Sequence, residues 1–531
     1  MVARLVRPVT WGLLLAAWLV LPGLARADWA VATLRSVDHL LEQARSLAKL
    51  ADREDFVQQL EPIVRPILER GIDSKRPLGV AIRRFALDKP PFMLFVPVTS
   101  PSDFVELLTG FGLEVGAEVQ GTRSVITPDG QKLFLRFAHG YAFAAESAET
   151  LREELPDPVT SLPKENLSNL FALTIRTDQI PSASRQFLHG SVDREMAKGL
   201  ERRPGESDAQ HFGKVLATNL LREVARNLIL ETRSLSLTFN VDDSRRQLVL
   251  EARLDPEPGT ALAQQIAALG RNQTLFAAAI RESAGHILLH LPLAAELRKN
   301  LNALLDRSFQ EEVNKLEGVV RKAVAEKVYR TLEPTLKQEV LDAGLFLVGP
   351  TDQRYALLGA LQVRDGKRIE ALLRDLVKEM PEADRQKVAL DSDSMSGVAI
   401  HRLSLPPMDE DGIRTFGSSE AYVAFLDRAV LVGLGLHGAT AVKSAIAQVG
   451  SSPSGSGGGL LEVRLAVARL APLVKEDGDR LAAAAKQAFT APDQDAIRVE
   501  LRGGEALHLR VEASAYLVRL AALLAPLGDQ E

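Results

Sequence analysis

The segment Gly433–Gly438, Gly-Leu-Gly-Leu-His-Gly, has the glycine spacing of a loop that cradles a dinucleotide phosphate. It stands between an expected strand and an expected helix. That strand, however, is the second arm of a hairpin, whereas a dinucleotide fold needs the first strand of a β-α-β unit. About twenty residues further on, where such folds place a ribose-binding acid, the chain has Gly457-Gly458-Gly459. We therefore predict that these glycines are structural and that the protein binds no cofactor.

Two histidines, His286 and His290, stand four residues apart in an expected strand. As neutral imidazoles on one face they could share a metal ion. No third ligand lies near them in sequence, and Ile287, Leu289 and Leu291 fill the alternate positions. The alternation predicts a half-buried strand whose histidine side faces solvent. We therefore assign no metal-binding residues.

The densest acidic clusters are Asp391–Ser394 and Asp409–Gly412. A calcium loop needs oxygen ligands at fixed later positions, which Met395, Arg402 and Ile413 occupy here. Both clusters are therefore predicted to be solvated turns. The sequence has no nucleophile elbow, no zinc-protease helix motif and no phosphate-binding P-loop, so we assign no catalytic residue. Hydrolases with dispersed carboxylates leave no local signature, and that alternative stays open.

The first 27 residues have the form of a cleavable export signal. Arg4 and Arg7 precede an uncharged run, Pro8–Ala25, and the small residues Ala25 and Ala27 suit signal peptidase. We predict cleavage after Ala27 and a secreted or periplasmic mature protein. An uncleaved anchor helix is the alternative.

The composition is that of a globular protein, with 46% hydrophobic and 25% charged residues. Without the three arginines of the signal, 61 basic residues face 69 acidic ones, a net charge of −8. This charge argues against nucleic acid as a partner, because phosphate neutralisation needs a basic surface. The chain contains no cysteine, so its stability must come from buried cores.

Segments of the same pattern recur in the same order along the chain. Four pairs share an arrangement of strand, turn and helix: Phe92–Gly112 with Tyr355–Val377, Leu133–Glu154 with Ala421–Ile446, Leu170–Pro181 with Leu460–Ala471, and Leu235–Ala252 with Ile497–Ala513. We predict two related halves, residues 28–274 and 275–531, after the signal peptide of residues 1–27. The first half carries an additional helical insert, about 186–230.

Hairpins and alternating strands favour antiparallel sheets with helices packed against them, which is an α+β fold. A long helical stretch, about 292–341, is predicted to be broken or kinked near Pro334. It is also predicted to pack against a sheet through an apolar stripe that consists of Leu305, Phe309, Val313, Leu316, Val320, Val324 and Val328. The segment Ser451–Gly459 is predicted to be a flexible loop between two strands.

The second half contains the stretches LEPTLKQEVLDAGLFLVGP, HRLSLPP and EAYVAFLDRAVLVGLG. The sequences of these stretches resemble those of large exported proteins of planctomycete-type bacteria that have no known activity. The resemblance implies an exported protein with a repeat architecture, and it implies no site residue.

Together these observations lead us to expect an exported, non-catalytic binding or scaffold protein of the cell envelope. One alternative is a carrier of an apolar ligand in a cleft, and another is a hydrolase with dispersed carboxylates. The expected partner is a protein or an apolar ligand, with no nucleic acid and no membrane span after signal cleavage.

Export processing can be tested directly. Mass spectrometry of protein recovered from the envelope should find Asp28 as the N-terminal residue, because signal peptidase accepts the small side chains of Ala25 and Ala27. An intact Met1 on membrane-retained protein would support the anchor instead.

Overall fold

The computed structural model describes residues 29–83, 91–202, 204–270, 274–277, 283–449, 459–474, 478–491 and 493–525. The predicted signal peptide and the loop residues 451–458 lie outside these ranges. The chain forms two compact units, Met1–Ser191 with Arg226–Pro258 and Val192–Ala225 with Gly259–Glu531. Among the described helices, none combines the length and apolar composition that a membrane span requires.

The first unit contains ten sheet strands, and each neighbouring pair among them is antiparallel. Its strands are β1 (Ala30–Leu34), β2 (Leu78–Ile82), β3 (Phe92–Pro97), β4 (Glu114–Val119), β5 (Thr122–Ile126), β6 (Lys132–Ala138), β7 (Tyr141–Ala145), β8 (Phe171–Arg176), β9 (Thr232–Asp242) and β10 (Gln247–Pro256). Their order across the sheet is β4-β5-β6-β7-β3-β2-β1-β8-β9-β10.

Helices connect these strands at four places. They are α1 (Val37–Leu50), α2 (Glu54–Glu69), α3 (Pro101–Gly110), α4 (Ala148–Arg152), α5 (Pro158–Ser161), α6 (Lys164–Ser168), α7 (Ser182–Ala197) and α8 (Asp208–Leu230), and α9 (Ala261–Leu269) follows β10. The segment Val192–Ala225, which includes most of α8, and the helix α9 belong to the second unit. Ser36 and Ser100 begin α1 and α3 by accepting hydrogen bonds from backbone N–H groups of the first turn. Trp29 is 2% exposed and packs with Ala30, Ile82 and Ile180.

The second unit contains ten more sheet strands, and the neighbouring pairs among them are antiparallel as well. Its strands are β11 (Ser283–Pro292), β12 (Val340–Thr351), β13 (Arg354–Gln362), β14 (Val388–Met395), β15 (Val398–Ser404), β16 (Glu420–Leu426), β17 (Ala429–Leu434), β18 (Leu461–Ala466), β19 (Ala496–Arg502) and β20 (Leu507–Ser514). Its helices are α10 (Ala295–Lys315), α11 (Val319–Leu336), α12 (Gly366–Glu379), α13 (Glu382–Arg385), α14 (Glu410–Phe416), α15 (Gly438–Gln448), α16 (Val467–Leu470), α17 (Gly478–Ala488) and α18 (Leu517–Leu524). The predicted α+β class with antiparallel sheets is confirmed.

Within the second unit the strands follow the order β14-β15-β16-β17-β13-β12-β11-β18-β19-β20, which is the same order as that of the ten strands of the first unit. β3 lies between β2 and β7, and β13 lies between β12 and β17. Within these strands, Leu94 pairs with Ala144 and Gly359 pairs with Val432. By this register Leu94 corresponds in position to Gly359. The sequence comparison, which aligns Phe92 with Tyr355, would place Leu94 at Leu357, two residues earlier.

The helical stretch after β11 breaks at a different place from the one predicted. Gly318, with φ +91°, separates α10 from α11, whereas Pro334 lies in the last turn of α11. Glycine adopts this φ without a steric penalty, so the chain can reverse direction there. Val320 is 77% exposed, so the predicted apolar stripe does not continue as core beyond the break. The two helices instead contact each other through the stacked rings of Phe309 and Tyr329, 3.9 Å apart.

The glycines between β17 and α15 let the strand and the helix approach each other closely. A Cβ on Gly433 would lie 2.3 Å from the carbonyl oxygen of Gly438, and one on Gly438 would lie 2.8 Å from that of Gly433. Gly435 has φ +98°, and a Cβ there would lie 2.7 Å from the carbonyl oxygen of Phe416. Backbone packing therefore accounts for the Gly-x-Gly-x-x-Gly spacing.

The crowding around Gly435 predicts unequal costs for two glycine substitutions. Gly435→Ala should lower the free energy of unfolding by about 2 kcal/mol or more, because its positive φ and the nearby Phe416 oxygen both oppose a side chain. Gly359→Ala should change it by less than about 1 kcal/mol, because its Cβ would meet only the Val432 carbonyl oxygen at 3.9 Å. Urea unfolding of both variants measures the difference, and equal costs would contradict this account.

Candidate functional site

Six adjacent strands of the second unit, β13, β12, β11, β18, β19 and β20, share one continuous apolar face. Directly opposed residues of antiparallel strands point to the same side of a sheet. The middle row on this side is Gly359, Leu345, Ile287, Val463, Val499 and Val511. The two flanking rows are Leu357, Leu347, Gly285, Leu465, Ile497 and Ala513, and Leu361, Ala343, Leu289, Leu461, Leu501 and Leu509. These eighteen residues, all aliphatic or glycine, are called the aliphatic face.

The aliphatic face is partly accessible to solvent, with most of its residues half-buried. Gly285 is its one buried member, while Ile287 and Leu345, directly opposed, are 46% and 45% exposed. Val432 on β17 extends the middle row beyond Gly359 and is 38% exposed. Proteins in water rarely expose contiguous apolar areas of this kind unless the area binds something. The aliphatic face is therefore the candidate binding site.

The opposite side of the same strands carries a different chemistry. On β11, β12 and β13 it contributes Leu288, Phe346 and Leu358 to the largest buried core of the second unit. On β18, β19 and β20 it carries charged side chains, including an ion pair of Arg510 with Glu512 at 2.7 Å. Strand alternation thus sends the charged groups of these strands away from the aliphatic face.

The histidines of β11 lie on the core side, so the prediction that they face solvent is wrong. His286 is 2% exposed and His290 is 6% exposed, whereas Ile287 between them is on the exposed side. A carboxylate accompanies each imidazole: Glu462 Oε1 is 3.7 Å from Nε2 of His286, and Asp342 Oδ2 is 3.5 Å from Nδ1 of His290. These partners reduce the cost of burying the two rings.

Together with Ser283, the pair of His286 and Glu462 has the residue types of a serine-hydrolase catalytic triad. The Oγ atom of Ser283 is 2.9 Å from Nδ1 of His286, which in turn neighbours Glu462. Ser283 is only 1% exposed, so a substrate carbonyl cannot approach its oxygen. The arrangement therefore stabilises buried polar groups and does not present a nucleophile.

A second polar cluster joins Glu370 on α12, Asp391 on β14 and His401 on β15. Each offers a ligand atom within 4.8 Å of the others, which is the spacing of a metal site. The segment Asp391–Ser394 lies within β14, so the solvated turn predicted there is wrong. At the other predicted turn, Asp409 begins α14 by accepting a hydrogen bond from the N–H of Gly412.

An arginine already occupies the centre of this cluster. Arg374 donates hydrogen bonds to Glu370 Oε1 at 2.6 Å and to Asp391 Oδ2 at 2.8 Å. Nδ1 of His401 accepts the backbone N–H of Asp391 at 3.1 Å, so the ring proton belongs on Nε2, 3.3 Å from Glu370 Oε1. With its proton there, the imidazole has no lone pair for a metal. The cluster is therefore an ion-pair network that fixes α12 to β14 and β15.

This network predicts an acid-sensitive contribution to stability. Hydrogen bonds from Arg374 hold the pKa of Asp391 below its usual range. The carboxylate therefore stabilises the fold above about pH 4, and this contribution is lost as the pH falls through the lowered pKa. Asp391→Asn should cost about 1 kcal/mol at pH 7, because the pair is partly exposed, and less at pH 2, where more of the carboxylate is protonated. Urea unfolding at both pH values measures this convergence.

Asp352→Asn is the matched control for this experiment. Asp352 is exposed and has φ +48°, close to the φ of +52° at Asp391, so both substitutions meet the same backbone strain. The control should change stability by less than about 0.5 kcal/mol at either pH. An equal loss for Asp391→Asn at pH 7 and pH 2 would show that its carboxylate charge contributes nothing.

Comparisons of the chain with protein-family models, with curated proteins and with solved structures find no match. No activity or ligand can therefore be transferred from a relative. The chemistry of the aliphatic face and of the polar clusters is the basis for assigning a function.

Proposed function

We propose that the protein is a non-catalytic binding protein that holds an uncharged hydrocarbon ligand on its aliphatic face. The observation that carries the proposal is a block of eighteen neighbouring aliphatic or glycine residues of which only Gly285 is buried. A ligand that covers such side chains gains about 25 cal/mol for each Å² of apolar area removed from water. Among the functions expected from the sequence, this corresponds to the alternative of an apolar-ligand carrier, with the ligand on a sheet face in place of the expected cleft.

The chemistry of the aliphatic face favours hydrocarbon over a protein partner. Protein interfaces form about one hydrogen bond per 100–200 Å², but the eighteen side chains of the face contain no donor or acceptor. The backbone groups of the inner strands are paired with their neighbours. Six strands span about 24 Å, so an extended alkyl chain can lie across several of them.

The acidic side chains of the second unit give little support to the hydrolase alternative. Glu370 and Asp391 both bind Arg374, and a general acid needs a carboxyl group whose pKa is raised, whereas that of Asp391 is lowered. Asp342 is fully buried and accepts hydrogen bonds from Thr274 Oγ1 and from the N–H of Leu275.

Duplication and export are part of this proposal. The common strand order of the two sheets supports an origin by duplication of a ten-stranded unit. The pattern of residues 1–27 and the resemblance to exported planctomycete-type proteins support a place in the cell envelope. An apolar ligand is insoluble in such an aqueous compartment, so a binding protein there would keep it in solution.

The proposal is tested by the binding of 1-alkanols of increasing length to the delipidated full chain. Each added methylene should raise the affinity about twofold to fourfold, because burying a methylene is worth about 0.8 kcal/mol when it is fully covered. Ile287→Lys should abolish binding to this face, because it places a charge in the middle row. Titration calorimetry with 1-decanol, 1-dodecanol and 1-tetradecanol measures both effects.

Ile413→Lys is the matched control, because Ile413 is 40% exposed on α14, outside the aliphatic face. It makes the same chemical change in the same unit and should leave alkanol binding unchanged. Thermal melts should be similar for both variants, since each replaces an exposed side chain. Affinity independent of chain length, or equal loss in both variants, would refute the proposal.

A further inference from the structure

The described part of the first unit begins inside its sheet. Trp29 and Ala30, the first residue of β1, are each 2% exposed. The backbone N–H of Trp29 donates a hydrogen bond to the carbonyl oxygen of Ile82 at 3.2 Å, and the carbonyl oxygen of Trp29 accepts one from the N–H of Arg176. Both backbone groups of Trp29 are therefore held, one by β2 and the other by the end of β8.

The strand that follows Trp29 is an inner strand. All five residues of β1 pair with β2 on one side and with β8 on the other. Releasing β1 would break both ladders and the packing of Trp29 and Ala30 against Ile82 and Ile180. Inner strands of this kind open only at a free energy close to that of global unfolding, whereas chain ends without such ties open at almost no cost.

The predicted signal-peptidase site comes directly before this segment. Cleavage after Ala27 leaves only Asp28 between the scissile bond and Trp29. One residue of chain reaches at most about 3.6 Å. Proteases cut exposed, flexible chain, and a chain that is held in a sheet is cut only from a transiently opened state. The peptidase and the sheet therefore compete for the residues that follow Ala27.

We infer that folding of the first unit closes the signal-peptidase site, so that cleavage has to occur before β1 joins its sheet. The inference rests on the export part of the proposed function, because it concerns the same bond after Ala27. A chain that is cleaved first becomes the released mature protein. A chain that folds first keeps residues 1–27 and stays anchored, so the cleaved and anchored forms are two outcomes of one competition.

The same argument specifies the class of export route. A route that carries folded proteins would deliver a precursor whose β1 is already paired on both sides, and the peptidase could not process it. A route that carries unfolded chains delivers the bond after Ala27 while the chain around Trp29 is still free. The protein therefore requires export in the unfolded state.

The experiment compares cleavage of the full-length precursor, Met1–Glu531, in two states by purified signal peptidase in detergent micelles. One sample is diluted from urea directly into the peptidase, and the other is refolded first, with circular dichroism as the check. The freshly diluted chain should be cut after Ala27. The folded precursor should be cut at least about 100-fold more slowly, because cleavage then requires the opening of β1. Intact-mass spectrometry over time measures both rates.

A linker variant separates the effect of the sheet from that of the cleavage sequence. About six glycine and serine residues inserted between Asp28 and Trp29 add a flexible tether of about 13 Å and leave β1 unchanged. The folded linker variant should be cut as fast as its freshly diluted form. The same insertion between Gly130 and Gln131, in an exposed turn of the first unit, is the matched control and should leave the folded precursor protected.

Equal cleavage of folded and freshly diluted wild-type precursor would overturn the inference and preserve the predicted export. Protection of the folded linker variant as strong as that of the wild type would also overturn it, because the sheet would then not be the cause. If neither wild-type sample is cut after Ala27, the inference fails together with the export part of the proposed function.

Discussion

A β-strand directs successive side chains to opposite sides of its sheet. In the second unit this constraint determines whether each strand side chain faces the core or the aliphatic face. β11 shows it most clearly. His286, Leu288 and His290 point into the protein, and Ile287 and Leu289 point to the aliphatic face. Because pairing carries the alternation from strand to strand, one choice of side on β11 sets the side for its neighbours as well. The aliphatic face and the buried histidines are two consequences of the same register.

The polar clusters follow from this arrangement. A histidine on the core side of a strand must find a partner there, and Ser283 with Glu462 provides one for His286. At the far end of the sheet, α12 packs beside β14 and β15 through Arg374, whose guanidinium connects two carboxylates on different elements. The residue types that could have done chemistry therefore serve to fix strands and helices. The aliphatic face contains none of these residue types and is partly exposed to solvent.

Much of the fold could be predicted from local patterns, because alternation and turn residues are local properties. The α+β class and the antiparallel hairpins are of this kind. Local patterns do not predict which side of a strand faces the core. The alternation around His286 is visible in the sequence, but it is compatible with either the histidine side or the leucine side facing inward. Only the partners Glu462 and Asp342, on other strands, decide the matter. The helix break at Gly318 was missed because Pro334 gave the stronger local signal, whereas the helix continues through Pro334 to Leu336.

The aliphatic face was missed for a related reason. Each strand that forms it, such as Ile497-Arg-Val-Glu-Leu501, has an ordinary amphipathic pattern and predicts one buried apolar side. Whether helices cover that side depends on connections far along the chain. In β18, β19 and β20 it is the apolar side that remains partly accessible, opposite a charged side with its own ion pairs. Six strands had to be placed in order before these separate patterns formed a single surface.

The position of Trp29 has a consequence for spectroscopy. The other two tryptophans, Trp11 and Trp18, belong to the predicted signal peptide, so Trp29 would be the sole indole of the processed protein. It is buried in the first unit beside Ala30 and Ile180. Its emission, excited selectively at the red edge of indole absorption, would therefore report the melting of the first unit, and the second unit would unfold without a change in tryptophan fluorescence. Circular dichroism, which records the strands and helices of both units, would then give a different transition wherever the two units do not unfold together.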